Sequence, residues 1–139
     1  MFDPIDYGIP PNSMKSIDHA QILALEVARA ALKDAGYLER EFDREYTSVI
    51  FGASGGLGDH GSLYALRSLL PLLASDIPDE VWKQLPEWSE DSFAGLLLNV
   101  ISGRIANNFN LKGVNFTVDA ACASSLAAVY HAVRELTIG

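Results

Sequence analysis

The sequence holds one cysteine among its 139 residues. That excludes a disulfide framework and a cysteine-rich zinc site, and it fits a reducing, cytoplasmic compartment. Basic side chains are scarce as well: 10 Lys and Arg stand against 18 Asp and Glu, a formal charge of -8. With no Lys/Arg stripe to meet phosphates, nucleic acid is excluded as a partner. No stretch reaches the ~20 uninterrupted apolar residues of a membrane span. Met1-Phe2-Asp3-Pro4-Ile5-Asp6 lacks the basic start and apolar core of a signal peptide, so no membrane partner is expected. Internal repeats, low-complexity stretches and linkers are absent too.

What is present is an apolar chain. Hydrophobic residues make up 49% and charged residues 20%, which rules out a disordered tail. The length suits one domain over residues 1–139 and is too short for two. Residues 1–17 carry Pro4, Gly8, Pro10 and Pro11 and are expected to form an ordered surface loop. Residues 18–35 read as a helix with Ile22, Leu25, Ala28 and Leu32 on its apolar stripe and Gly36 as its C-terminal cap. Residues 47–51 are β-branched and aromatic, a buried strand ending in a glycine-rich turn. Between 63 and 85 one helix is expected to be interrupted by Pro71 and a short second one to start near Pro78. Ser89 caps a longer helix whose stripe is Phe93, Leu97, Val100, Ile101 and Ile105. Residues 114–118 form a second buried strand, and a last helix runs from Ser124 to Leu136. That last helix is apolar nearly all round, so it belongs inside a protein with layers on both sides. The chain starts without a leading strand or helix and stops just after this helix, and it is expected to be part of something longer.

One constellation can carry covalent chemistry. Val118-Asp119-Ala120-Ala121-Cys122-Ala123-Ser124-Ser125-Leu126 lies between the second strand and the last helix. A nucleophile on a tight strand-to-helix turn needs small neighbours so that the backbone can bend and an acyl group can approach, and the alanines and serines supply them. Cys122 then sits at a helix N-terminus, where free N–H groups and the macrodipole favour a thiolate and can bind the oxyanion of a thioester under attack. The alternative is a lone cysteine serving as a small buried hydrophobe.

Gly56, Gly58 and Gly61 satisfy the letter of G-x-G-x-x-G after a strand, with Asp76 further on. The glycines start too late after the strand, and Asp76 stands next to Ile77-Pro78 rather than at the end of a strand, so a turn or pocket-lining loop is favoured over a nucleotide site. His19, His60 and His131 lack metal-ligand spacing, and no metal or bound cofactor is expected. His19 opens a helix, His60 faces solvent in the glycine loop, and His131 is a packed or helix-end histidine. Trp82 and Trp88 read as core packing, with an apolar surface or a dimer contact as the alternative.

With those residues in view, the sequence resembles the β-ketoacyl synthase (ketosynthase) domain of polyketide and fatty-acid synthases. Three collinear blocks carry the likeness. The first runs through Phe2-Asp3, Gly8-Ile9, Pro11, Asp18, Gln21, Leu25-Glu26 and Asp34-Ala35-Gly36-Tyr37. The second is Asn99, Ser102, Arg104-Ile105, Leu111 and Gly113. The third, residues 119–126, looks like the family's nucleophile signature. His19-Ala20 departs from the usual Pro-Gln and Ile22 from a common Arg. Ala120 and Ala123, with Leu85-Pro86-Glu87-Trp88-Ser89 upstream, look most like iterative enediyne synthases and next most like polyunsaturated fatty-acid synthases.

The resemblance implies an α/β, thiolase-like fold in layered αβαβα order, of which this chain is part of the N-terminal half without its first strand. It implies an acyltransferase: Cys122 takes an acyl chain from an acyl carrier protein's phosphopantetheine or from coenzyme A. Malonyl-carrier protein then loses carbon dioxide and attacks the thioester. It implies a homodimer in the full-length protein. The family draws two histidines and a lysine from its C-terminal half, which no position here matches, so the segment alone is expected not to decarboxylate malonyl groups. The readings outside this one are a non-catalytic partner of the same fold, against which Cys122 counts, and a nucleotide-binding module through Gly56, Gly58 and Gly61.

Overall fold

The structure is a computed structural model that describes residues 2–55 and 58–138. Two parallel strands, β1 (Val49–Gly52) and β2 (Asn115–Val118), pair with Val49 opposite Asn115 and Gly52 opposite Val118. Among the described residues six helices accompany them: α1 (His19–Asp34), α2 (Gly58–Leu73), α3 (Asp79–Gln84), α4 (Glu90–Leu96), α5 (Val100–Asn108) and α6 (Ser124–Ile138). The strand alternation sorts the helices into layers. Val49 and Phe51 pack on the cluster formed by Leu25 of α1 with Ile101 and Ile105 of α5. Thr117 on β2 faces the same way, donating to the Leu98 carbonyl at 3.1 Å. The opposite face belongs to α6, where His131 meets Phe116 edge-on at 5.6 Å. The sheet is therefore sandwiched between α1 with α5 and α6.

Residues 2–17 are not a surface loop. Pro4–Tyr7 and Ser13–Ser16 form short 3-10 helices, and Tyr7, Ile9 and Ile17 are buried in the core cluster. Irregular backbone can be buried because its polar groups bond locally: Gly8 N–H donates to Ile5 O and Ile9 N–H to Pro4 O. Gly8 has φ +64°, a left-handed turn that glycine adopts without steric cost.

Helix α1 starts one residue later than expected, because Asp18 caps it, accepting the Ala20 N–H at 2.9 Å. It ends in a Schellman motif in which Tyr37 N–H reaches Leu32 O and Gly36 N–H reaches Lys33 O. Its buried face is Gln21, Ala24 and Leu25, rotated from the expected stripe, with Ile22 and Ala28 at its edge. Pro71 does not interrupt α2, which runs through it to Leu73; α3 does begin after Pro78.

The single helix expected after Ser89 is two. The cap is as expected, a reciprocal Ser89/Ser92 box, but the backbone turns extended at Leu97 and α5 starts anew at Val100. The cause is tertiary. Gln21 Nε2 donates to the carbonyls of Ala94 and Gly95 at 2.9 Å and of Leu97 at 3.1 Å, taking acceptors that a continuing helix would use. Asp18 N–H takes Gly95 O as well. Phe93, expected in the buried stripe, is exposed.

Candidate active site

β2 carries the chain to the candidate nucleophile, and α1 with α5 hold β2 in place. Arg104 Nε donates to Gln21 Oε1 at 2.9 Å, so one buried amide ties α5 to α1 and to the break before α5. Burial depresses the Arg104 guanidinium pKa, opposed by the Asp91 carboxylate. Ser102 Oγ donates to Asn99 O and lies 3.3 Å from Thr117 Oγ1. Gln21 and Arg104 thus tie α1 to α5, and Ser102 of α5 meets the strand before Cys122.

Beyond Val118 the backbone turns sharply. Ala121 has φ +48°, a conformation disfavoured for alanine by about 1–2 kcal/mol. A 3-10 turn over Ala121–Ala123 follows, and α6 starts at Ser124. Two side chains hold this bend. Asp119 Oδ1 accepts the Ala121 N–H at 2.9 Å. Ser124 Oγ accepts the Ala120 N–H at 2.9 Å and donates to Ala121 O at 2.7 Å. Ala123 N–H donates to Ala120 O at 3.0 Å and Ser124 N–H to Ala121 O. None of these bonds engages the N–H of Cys122. Cys122 itself is exposed, so it is not the small buried hydrophobe of the alternative reading.

Gly52 completes the support. A Cβ at this position would collide with the Ser124 carbonyl, so only glycine lets the end of β1 lie against the first turn of α6. Nothing in the glycine-rich turn singled Gly52 out from its neighbours; the close approach is a tertiary fact.

The other candidate residues do not converge on Cys122. His60 lies in α2 rather than facing solvent from a loop: its side chain is 18% exposed and its Nδ1 stands 4.0 Å from Asp18 Oδ2. The rings of His19 and His60 are 5.4 Å apart. His131 is half-buried against Phe116 and Tyr130, as a packed histidine. Of the glycine motif, Gly56 lies outside the described residues, Gly58 opens α2, and Asp76 sits between α2 and α3 rather than at a strand end. That placement lacks the strand–turn–helix–strand order of a dinucleotide site. Trp88 is exposed, with its ring 4.4 Å from that of buried Tyr64, and Trp82 lies under the Arg67 guanidinium. Among the described residues no group of three His, Cys, Asp or Glu side chains could hold a metal, and no helix is long and apolar enough to cross a membrane.

Comparison with known proteins agrees with this geometry. The family described as "Beta-ketoacyl synthase, N-terminal domain" matches residues 1–139. One chain of a polyunsaturated fatty acid synthase from Thraustochytrium sp. is 35% identical over 150 residues, covering 99% of this chain and 5% of that protein. A 6-methylsalicylic acid synthase from Penicillium expansum is 32% identical over 139 residues, covering 99% of this chain and 7% of that protein. The crystal structure of a beta-ketoacyl synthase from Burkholderia phymatum superposes with a TM-score of 0.67 at 20% identity, covering all of this chain and 31% of that one. The fold is that of part of the N-terminal half of a thiolase-like α/β domain. This chain spans a small share of the length of each of these relatives.

Proposed function

This chain belongs to the β-ketoacyl synthase family through that family's N-terminal domain, and from that membership we propose that residues 1–139 supply the acyl-accepting part of a condensing enzyme. The observation that carries the reading is exposed Cys122 on a sharp strand-to-helix bend. Its thiolate attacks the carbonyl carbon of an incoming acyl thioester; the new Sγ–C bond forms, the old C–S bond breaks, and the departing thiol takes up the proton that Cys122 gave up. The Cys122 N–H is one donor to the oxyanion formed on the way. The stored acyl chain is then lengthened by two carbons when a malonyl unit loses carbon dioxide and its carbanion displaces Cys122. Covalent storage holds both reactants at one place and divides the condensation into two easier steps.

The acyl groups arrive on an acyl carrier protein's phosphopantetheine or on coenzyme A, with no cofactor held by this chain. Homodimerisation of the intact protein and a cytoplasmic setting complete the reading. Ala120, Ala123 and the segment around Trp88 favour an iterative enediyne-type synthase, with a polyunsaturated fatty-acid synthase next.

Replacing the nucleophile tests the proposal. In the intact protein, Cys122→Ala is expected to abolish covalent labelling by a radiolabelled acyl-coenzyme A and to lower condensation at least ~10³-fold. A Cys122→Ala protein that still condenses acyl and malonyl groups at the parental rate overturns it.

A further inference from the structure

Asp119 and Ser124 stand one residue before and at the end of the bend, and neither has a role in the chemistry just described. We infer that they are positioning residues: together they clamp the backbone around Cys122 and so hold the peptide that carries its N–H. The inference rests on the reading of Cys122 as acyl acceptor.

The hydrogen bonds of the bend divide unequally. Four backbone groups just before Cys122 are occupied from within: Ala120 N–H by Ser124 Oγ, Ala121 N–H by Asp119 Oδ1, and Ala121 O and Ala120 O by Ser124 and Ala123. Ser124 makes its two bonds from a buried position, 5% exposed, at the point where Gly52 brings β1 against α6. Its backbone is held by the close approach of Gly52, and its hydroxyl, bonded on both its donor and acceptor sides, ties residues 120 and 121 to that point. Asp119 answers from the strand side. Its carboxylate on the Ala121 N–H offsets the cost of φ +48° at an alanine, which relaxed backbone would otherwise shed by rotating residue 121. Rotation there would swing the peptide that carries the Cys122 N–H while leaving the thiol on the surface. The clamp therefore acts on acyl transfer, where an oxyanion develops, and not on reactions of the thiol that develop no such charge.

That distinction gives the test. In the intact protein, the rate of Cys122 acylation by hexanoyl-coenzyme A is compared with the rate of its alkylation by iodoacetamide, for Ser124→Ala, Ser124→Thr, Asp119→Ala and Asp119→Asn. Loss of alignment of one oxyanion donor predicts acylation slowed roughly 10- to 100-fold in both alanine variants. Alkylation should stay within about threefold of the parent, since it needs no oxyanion donor. Ser124→Thr and Asp119→Asn keep the bonding oxygen and are expected to restore acylation to within about threefold of the parent. Alanine variants that acylate at the parental rate overturn the inference. So do variants in which acylation and alkylation fall together, or in which the Thr and Asn variants fail like alanine while melting at the parental temperature, because each marks a general structural role. The parent reading fails separately: acylation that persists in Cys122→Ala removes the nucleophile, and the clamp with it, whereas acylation lost there but untouched in Ser124→Ala and Asp119→Ala removes the clamp alone.

Discussion

The two faces of the sheet differ sharply. On one, Leu25 of α1 and Ile101 of α5 are buried to 0% and 1% exposure, closed over by Tyr7, Ile9 and Ile17 from the N-terminal segment. On the other, α6 buries Ala128 and leaves Leu126 at 74% and Leu136 at 88%, with Val129 and Val133 also exposed. In sequence α6 is the more apolar of the two layers, yet it is the one the described residues leave open. The contrast shows that helix composition reports how much cover a helix calls for, while the number of layers actually built around it is a property of the assembly. It also locates the rigidity behind Cys122: the bend is anchored through β1, β2 and the closed layer, not through the open side of α6.

Three substitutions probe that contrast. Ile101→Ala removes a side chain from the closed layer and is expected to cost about 2–5 kcal/mol, read as a lowered urea midpoint with an unchanged slope; a loss under ~1 kcal/mol would show that this layer is not the closed core. Gln21→Ala leaves the carbonyls of Ala94, Gly95 and Leu97 and the Arg104 Nε without their partner. It is expected to cost about 1–3 kcal/mol, and hydrogen exchange should quicken at α5 before α6. Uniform quickening would break the tie between α1 and α5. Leu126→Gln, on the open face, is expected to change the stability of this chain by less than ~0.5 kcal/mol. A loss comparable with Ile101→Ala would mean that the outer face of α6 is covered after all.

Several elements were legible from residue pattern alone. The Gly36 cap, the run of β-branched residues in β1, the Ser89 cap and the switch from strand to helix at Cys122 each depend on chemistry within a few residues, and each stands where expected. What failed had a distant cause. The break at Leu97 depends on an amide from α1 more than seventy positions earlier, and on Gly95 leaving room for the backbone of Ser16 and Ile17. Burial of Tyr7, Ile9 and Ile17 depends on α1 and α5 packing against them, which prolines and glycines cannot announce. His60 drew its solvent-facing expectation from the glycines around it, and Asp18 pulled it inward.

The same division runs through the site. Small residues around a single cysteine between a strand and a helix are a local signal, and the sequence by itself determined the candidate nucleophile, the family likeness and the order of the elements that present Cys122. Tertiary structure alone decided that Cys122 is exposed among the described residues, that Gly52 touches Ser124, that Asp119 and Ser124 share the bend between them, and which face of α6 the described residues cover. The physical reason is range: caps, turns and periodicity are settled by neighbours along the chain, whereas exposure, close backbone approach and the direction of a side-chain hydrogen bond are settled by residues that meet only once the layers have packed.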